Sequence, residues 1–202
     1  MKGILNKMIS KVKGASDSIA EAGYREMMDM ADDLVKQLSQ KKPKNLITLI
    51  AKSGISTNPE VSAHTACKVI CLFIECKVKR VYNWDFSGFI SVLYNLSCLN
   101  PLSMKLLATQ EELIDAIAGN TYNVTEVKDY QGYIDLLTNE RIIGTVRIKT
   151  GEDAWHSIIS YHDLDKKHPA ISDTSYGGIR AKHSARVTAD NFEYFTYIKD
   201  KA

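Results

Sequence analysis

Ile142-Ile143-Gly144-Thr145-Val146-Arg147-Ile148-Lys149, followed by Ala154-Trp155-His156-Ser157-Ile158-Ile159-Ser160-Tyr161 and then Ala170-Ile171-Ser172-Asp173-Thr174-Ser175-Tyr176-Gly177-Gly178, decides the fold. β-branched and aromatic residues dominate the first two segments, and turn-forming residues bound them, so they read as two strands with a third, shorter one behind. Upstream the apolar spacing changes to that of helices, over about 62–77, 84–96 and 101–118, followed by a strand at 121–127 and a helix at 130–138. With helices first and strands last, the class is α+β.

The chain divides into two parts, 1–44 and 45–202. The first is rich in Lys, Asp and Glu and helical in pattern, with an expected break at Gly14-Ala15-Ser16-Asp17-Ser18 and an end at Gln40-Lys41-Lys42-Pro43-Lys44. Ile4, Leu5, Met8, Ile9 and Val12 form an apolar stripe among Lys2, Lys7, Lys11 and Lys13. That is the pattern of a membrane-surface or partner-binding helix. A plainer reading packs the stripe on the protein itself or on a second copy, as a hairpin with the helix carrying Ala31, Leu34, Val35 and Leu38. A short apolar helix from Asn45 to Ser53 opens the second part and stops at Gly54.

Three residues carry the chemistry. His156 lies early on the second strand and Asp173 late on the third, the layout of a base beside its orienting carboxylate. A nucleophile is available on the helix Ser62-Ala63-His64-Thr65-Ala66-Cys67-Lys68-Val69-Ile70-Cys71-Leu72-Phe73-Ile74, which follows the turn-forming Thr57-Asn58-Pro59-Glu60. Cys67 falls in its first turns, where the positive end of the helix dipole favours thiolate. Each residue also has a structural reading. Cys67 shares a face with Ile70, Cys71 and Ile74 and suits a buried core, and Cys71 replaces it as nucleophile if the helix starts later. His156 suits a half-buried strand position, and Asp173 suits local bonding in a turn.

Cysteine first, histidine on a later strand and aspartate on the strand after it resembles the papain-like cysteine peptidases, nearest the bacterial double-glycine (bacteriocin-processing) branch and related bacterial domains. The resemblance spans roughly 60–198. It includes the Asp173-Thr174-Ser175-Tyr176-Gly177-Gly178 turn and Val187-Thr188-Ala189-Asp190-Asn191-Phe192-Glu193-Tyr194-Phe195, which is similar to that branch's closing aromatic helix. It implies a papain-like α+β domain behind a helical N-terminal extension, with Cys67, His156 and Asp173 as catalytic residues of a thiol-dependent hydrolase acting on peptide or other amide bonds. The front end departs from the family. A glutamine shortly before the cysteine helps form the family's oxyanion hole and glycine commonly follows it, whereas here no Gln closely precedes Cys67 and Lys68 follows. That departure motivates a competing class: a catalytically inactive papain-like binding protein, such as a phage or mobile-element inhibitor of a host factor.

Composition narrows the partners. The 202 residues are 45% hydrophobic and 25% charged, enough for one well-buried core plus an appendage. Lys and Arg number 26 against 24 Asp and Glu, a balance that argues against a strong sequence-independent grip on nucleic acid. No apolar run approaches the about 20 residues that span a bilayer, and the N-terminus lacks the apolar core of a signal peptide. Cys67, Cys71, Cys76 and Cys98 cluster in one stretch, as suits a reduced cytoplasmic protein. His64, Cys67, Cys71 and Cys76 lack the two-residue knuckle spacing of a zinc site, and His156, His162 and His168 have no reason to converge. No metal or cofactor is therefore expected. The partner expected is a peptide or protein, with self-association through the N-terminal helices.

Overall fold

Among the described residues the strands pair into one six-stranded antiparallel sheet, made of β1 (Tyr122–Val127), β2 (Ile143–Gly151), β3 (Ala154–Asp163), β4 (His168–Ser172), β5 (Ala181–Lys182) and β6 (Phe192–Asp200). Their order across the sheet is β1-β6-β2-β3-β4-β5. Four helices accompany them among the described residues: α1 (Lys2–Gln40), α2 (Pro59–Val78), α3 (Phe86–Asn95) and α4 (Tyr130–Asn139). The computed structural model describes residues 2–40, 59–81, 85–95, 121–173, 181–182 and 186–201. The architecture is α+β, with a long N-terminal helix ahead of the rest.

Strand periodicity assigns each side chain to a face. Ile143, Ile159, Tyr161, Ala170 and Ile198 pack in a core with residues of α1, α2 and α3, including Met28, Leu72, Ile74 and Phe89. On the opposite face Val146, Ile148, Ile158, Ile171, Phe195 and Tyr197 pack against Tyr133 and Leu137 of α4. Both faces are covered, which explains why β2 and β3 look like nearly continuous apolar runs instead of alternating ones. Local chemistry sets the helix starts. Pro59 opens α2, in the first turn where a missing N–H costs nothing. Asp85 accepts from the Gly88 N–H (2.8 Å) at the start of α3, and Asp129 from the Gly132 N–H (2.6 Å) at the start of α4.

α1 is one continuous helix, so the expected break at Gly14–Ser18 and the helical hairpin are both corrected. An interior glycine costs only about 0.5–1 kcal/mol against alanine, and the segment contains no proline to interrupt the bonding ladder. The second half of α1 is anchored by burial of Tyr24, Met28, Ala31, Val35 and Leu38, at alternating steps of four and three residues. Polar contacts add to this anchoring. The Tyr24 hydroxyl donates to the Ile142 carbonyl (2.8 Å) and accepts from the His162 N–H (3.0 Å). The Asp32 carboxylate accepts from the Tyr161 hydroxyl (2.7 Å) and from Ser172 Oγ. Residues 13–20, by contrast, are exposed, and Ile19 is 73% accessible.

The closing aromatic segment is also corrected. Residues 187–191 form no helix, and from Phe192 the chain is strand β6, inserted between β1 and β2. Its aromatic residues follow period two: Phe195 and Tyr197 stack within the α4-side core, with ring centroids 5.8 Å apart. The third strand ends earlier than its sequence suggests, at Ser172. The helices expected at 45–53 and 101–118, Cys98, and the Gly177-Gly178 turn lie outside the described residues, as does the side chain of His64. Among the described residues, no helix is long and apolar enough to cross a membrane.

Candidate active site

α2 crosses the sheet against β2 and β3, and this packing brings Cys67 to the strand that carries His156. The Cys67 thiol and the His156 imidazole are hydrogen-bonded. On its far side the ring bonds Asp173, with Nε2 2.9 Å from Oδ1. Since Nε2 is committed to the carboxylate, Nδ1 is the nitrogen left for the sulfur. Asp173 follows the last residue of β4, and Arg186 Nη1 lies 3.1 Å from its second oxygen, Oδ2. The three residues singled out in the sequence therefore form one chain of contacts, thiol to imidazole to carboxylate, closed by an arginine.

The strand pairing creates room for the sulfur. Pairing between β3 and β4 ends at Ile159 and Ser172, so the β3 backbone on either side of Ser157 has no partner from β4. The Ser157 backbone instead bonds to Cys67. A second donor comes from β2: Arg147 Nη1 is 4.0 Å from Cys67 Sγ and 3.1 Å from Ser157 Oγ. Lys68, the next residue of α2, holds its ammonium 5.6 Å from the centroid of the Tyr194 ring on β6.

Electrostatics follows from these contacts. Burial by itself pushes the Cys67 thiol up, but the hydrogen bond and charge of His156, the charge of Arg147 and the Ser157 backbone outweigh it, and the thiol lies below its ordinary range. Burial tends to lower His156, yet the Asp173 and Cys67 hydrogen bonds and charges raise it to about 9. Both shifts favour the thiolate–imidazolium form of the pair. The helix dipole has little part in this. α2 begins at Pro59, so Cys67 lies over two turns into the helix, beyond the first turn where the dipole acts. The other two described thiols are the contrast, for burial pushes both Cys71 and Cys76 well above the ordinary range. Lys68 is pulled down to about 7, by burial first and by Arg147 second, while Cys67 and Glu126 oppose the shift.

The remaining histidines of the sequence row do not join this group: His162 Nδ1 is 2.7 Å from the Leu137 carbonyl and His168 Nδ1 2.7 Å from that of Pro169. Cys71 stays on the inner face of α2, four residues behind Cys67, in the core with Ile70 and Ile74. Arg147, Ser157 and Arg186 were not distinguishable as site residues by motif. The one local signal is Arg147 itself, a cation set between Val146 and Ile148 in the buried part of β2. No family model, curated protein or solved structure matches this chain.

Proposed function

We propose that this protein is a papain-like, thiol-dependent hydrolase of peptide or other amide bonds. The observation that carries the reading is the hydrogen-bonded series Cys67, His156, Asp173, with the cysteine on a helix laid across an antiparallel sheet. In this mechanism the Cys67 thiolate attacks the carbonyl carbon, and the carbonyl electron pair moves onto oxygen. Collapse of that adduct expels the amine, which takes its proton from the His156 imidazolium, and leaves a thioester on Cys67. His156, now neutral, removes a proton from water as it attacks the thioester. The thiolate then departs, and the product is a carboxylic acid. Throughout, Asp173 keeps Nε2 engaged, so that Nδ1 stays turned to the reacting atoms and the imidazolium is stabilised.

One observation favours a second reading, that of an inactive papain-like binding protein: Cys67 is only 7% exposed and His156 only 9%. Incubation with a positional library of fluorogenic peptide amides separates the two. Release of fluorophore that disappears in both Cys67→Ala and His156→Ala supports hydrolysis. No release from any library member, together with failure of an activated ester to acylate Cys67, leaves the binding protein as the better account.

A further inference from the structure

Arg147 is buried to 2% exposure in the middle of the sheet, paired across to Ser157 on β3 and to Tyr194 on β6. Burying a guanidinium there is costly unless a negative charge accompanies it. Among the described residues no carboxylate forms an ion pair with it, and its two side-chain contacts are Ser157 Oγ at 3.1 Å and Cys67 Sγ at 4.0 Å. Lys68 adds a second buried basic group close by, its charged form disfavoured by burial and by Arg147. A buried guanidinium thus stands beside the sulfur, and among the described residues the one partner of opposite sign within its reach is Cys67 in its thiolate form.

The distance distinguishes what the arginine is placed to bind. At 4.0 Å it is at the outer limit of contact with sulfur, so the resting thiolate gains little from it as a hydrogen bond. The oxygen of a tetrahedral adduct stands two bonds away from that sulfur. A donor set back from the sulfur in this way can come within the about 2.7–3.1 Å that stabilises a developing oxyanion. Such a contact is stronger in the transition state than in the ground state, which is the condition for accelerating the reaction. Ser157 holds Nη1 in position, and β2 and β3 hold both residues on rigid backbone.

We propose that Arg147 is the oxyanion donor of this site, taking the place of the glutamine that does not precede Cys67. The inference rests on the hydrolase reading above. As the thiolate attacks, its negative charge passes to the carbonyl oxygen, and Arg147 follows that charge from sulfur to oxygen. On collapse to the thioester the electron pair returns to the carbonyl, and the same donor serves the second adduct formed by water.

Two reactions of the same sulfur test it, measured on the full chain at neutral pH. Alkylation by iodoacetamide develops no oxyanion, whereas acylation by p-nitrophenyl acetate does. In Arg147→Met, acylation should fall about 10²–10³-fold further than alkylation, the loss typical of removing one oxyanion donor. Arg147→Lys retains the charge without the fork and should recover part of that difference. Equal losses in both reactions, or no loss in either, overturn the proposal and leave Arg147 as a counter-charge at most. If Arg147→Met gives no cooperative melt, the comparison is made on Arg147→Lys, where a larger loss in acylation supports the proposal and an equal loss overturns it. Failure of the unaltered protein to acquire an acetyl group on Cys67, while iodoacetamide still labels it, is a different result: it removes the hydrolase reading and this inference with it.

Discussion

Replacing Asp173 by asparagine tests whether the buried carboxylate is what charges His156. The step from an ordinary histidine at 6.5 to about 9 corresponds to roughly 3 kcal/mol in favour of the imidazolium, at about 1.4 kcal/mol per pH unit. Two partners supply it against the opposing effect of burial, the Asp173 carboxylate at 2.9 Å and the Cys67 sulfur. Taking away the first should forfeit about half, ~1.5 kcal/mol, a roughly tenfold fall in the ion-paired form. The sign follows from linkage. His156 lies above its unfolded value, so its contribution to stability is complete below about 6.5 and is lost as pH rises through about 9. Cys67 lies below its unfolded value, so its contribution is present above the ordinary thiol range and is lost as pH falls through the folded value. Asp173→Asn should therefore narrow the pH window from its alkaline side. Iodoacetamide alkylation of Cys67 followed across pH, with an NMR titration of the His156 ring, measures both quantities. An unchanged His156 titration, with an unchanged alkylation profile, refutes the reasoning and assigns Asp173 to structure alone.

Iodoacetamide should label Cys67 well ahead of Cys71 and Cys76, whose burial disfavours thiolate, and His156→Ala should slow that labelling; peptide mass spectrometry after brief exposure reads both. Gly144→Ala should destabilise by about 1–3 kcal/mol, because a Cβ there meets the Phe195 ring at 2.6 Å and the Thr196 carbonyl, and a denaturant titration showing no loss means that β2 and β6 separate easily. Removing residues 2–40 should abolish the cooperative melt. Five buried side chains of α1 at about 1.5–3 kcal/mol each rival the whole stability of a domain. Removing only 2–18 should leave the melt intact, and light scattering on that shorter chain then shows whether this segment mediates self-association.

Much of the fold is local physics and was legible in the residues. The β-branched runs of β2 and β3 and the helical spacing of α4 each depend on neighbours a few positions away, and they fall where the sequence places them. The chemistry-bearing residue types were legible too, since a thiol, an imidazole and a carboxylate in that order are few in this chain. Local reasoning failed where a distant partner decided the outcome. Gly14 and its serines are weak helix formers, but their small cost does not stop a helix without proline whose second half is anchored in the core, and α1 runs through. Residues 192–200 have aromatic spacing open to either reading until β1 and β2 offer ladders on both sides, after which the strand wins.

The site's electrostatics belongs wholly to the tertiary structure. Sequence placed Cys67 near a helix start and credited the dipole, whereas the helix begins earlier and the charge comes from His156 and Arg147, 89 and 80 positions further along the chain. Arg147 could not be told from a surface cation by its identity, because what gives it meaning is burial with no carboxylate partner among the described residues and a place beside sulfur. Periodicity fixes which face a side chain takes, since that depends only on backbone geometry. Which charges meet on that face depends on how helices and strands dock, and that is decided by the packing of the whole chain.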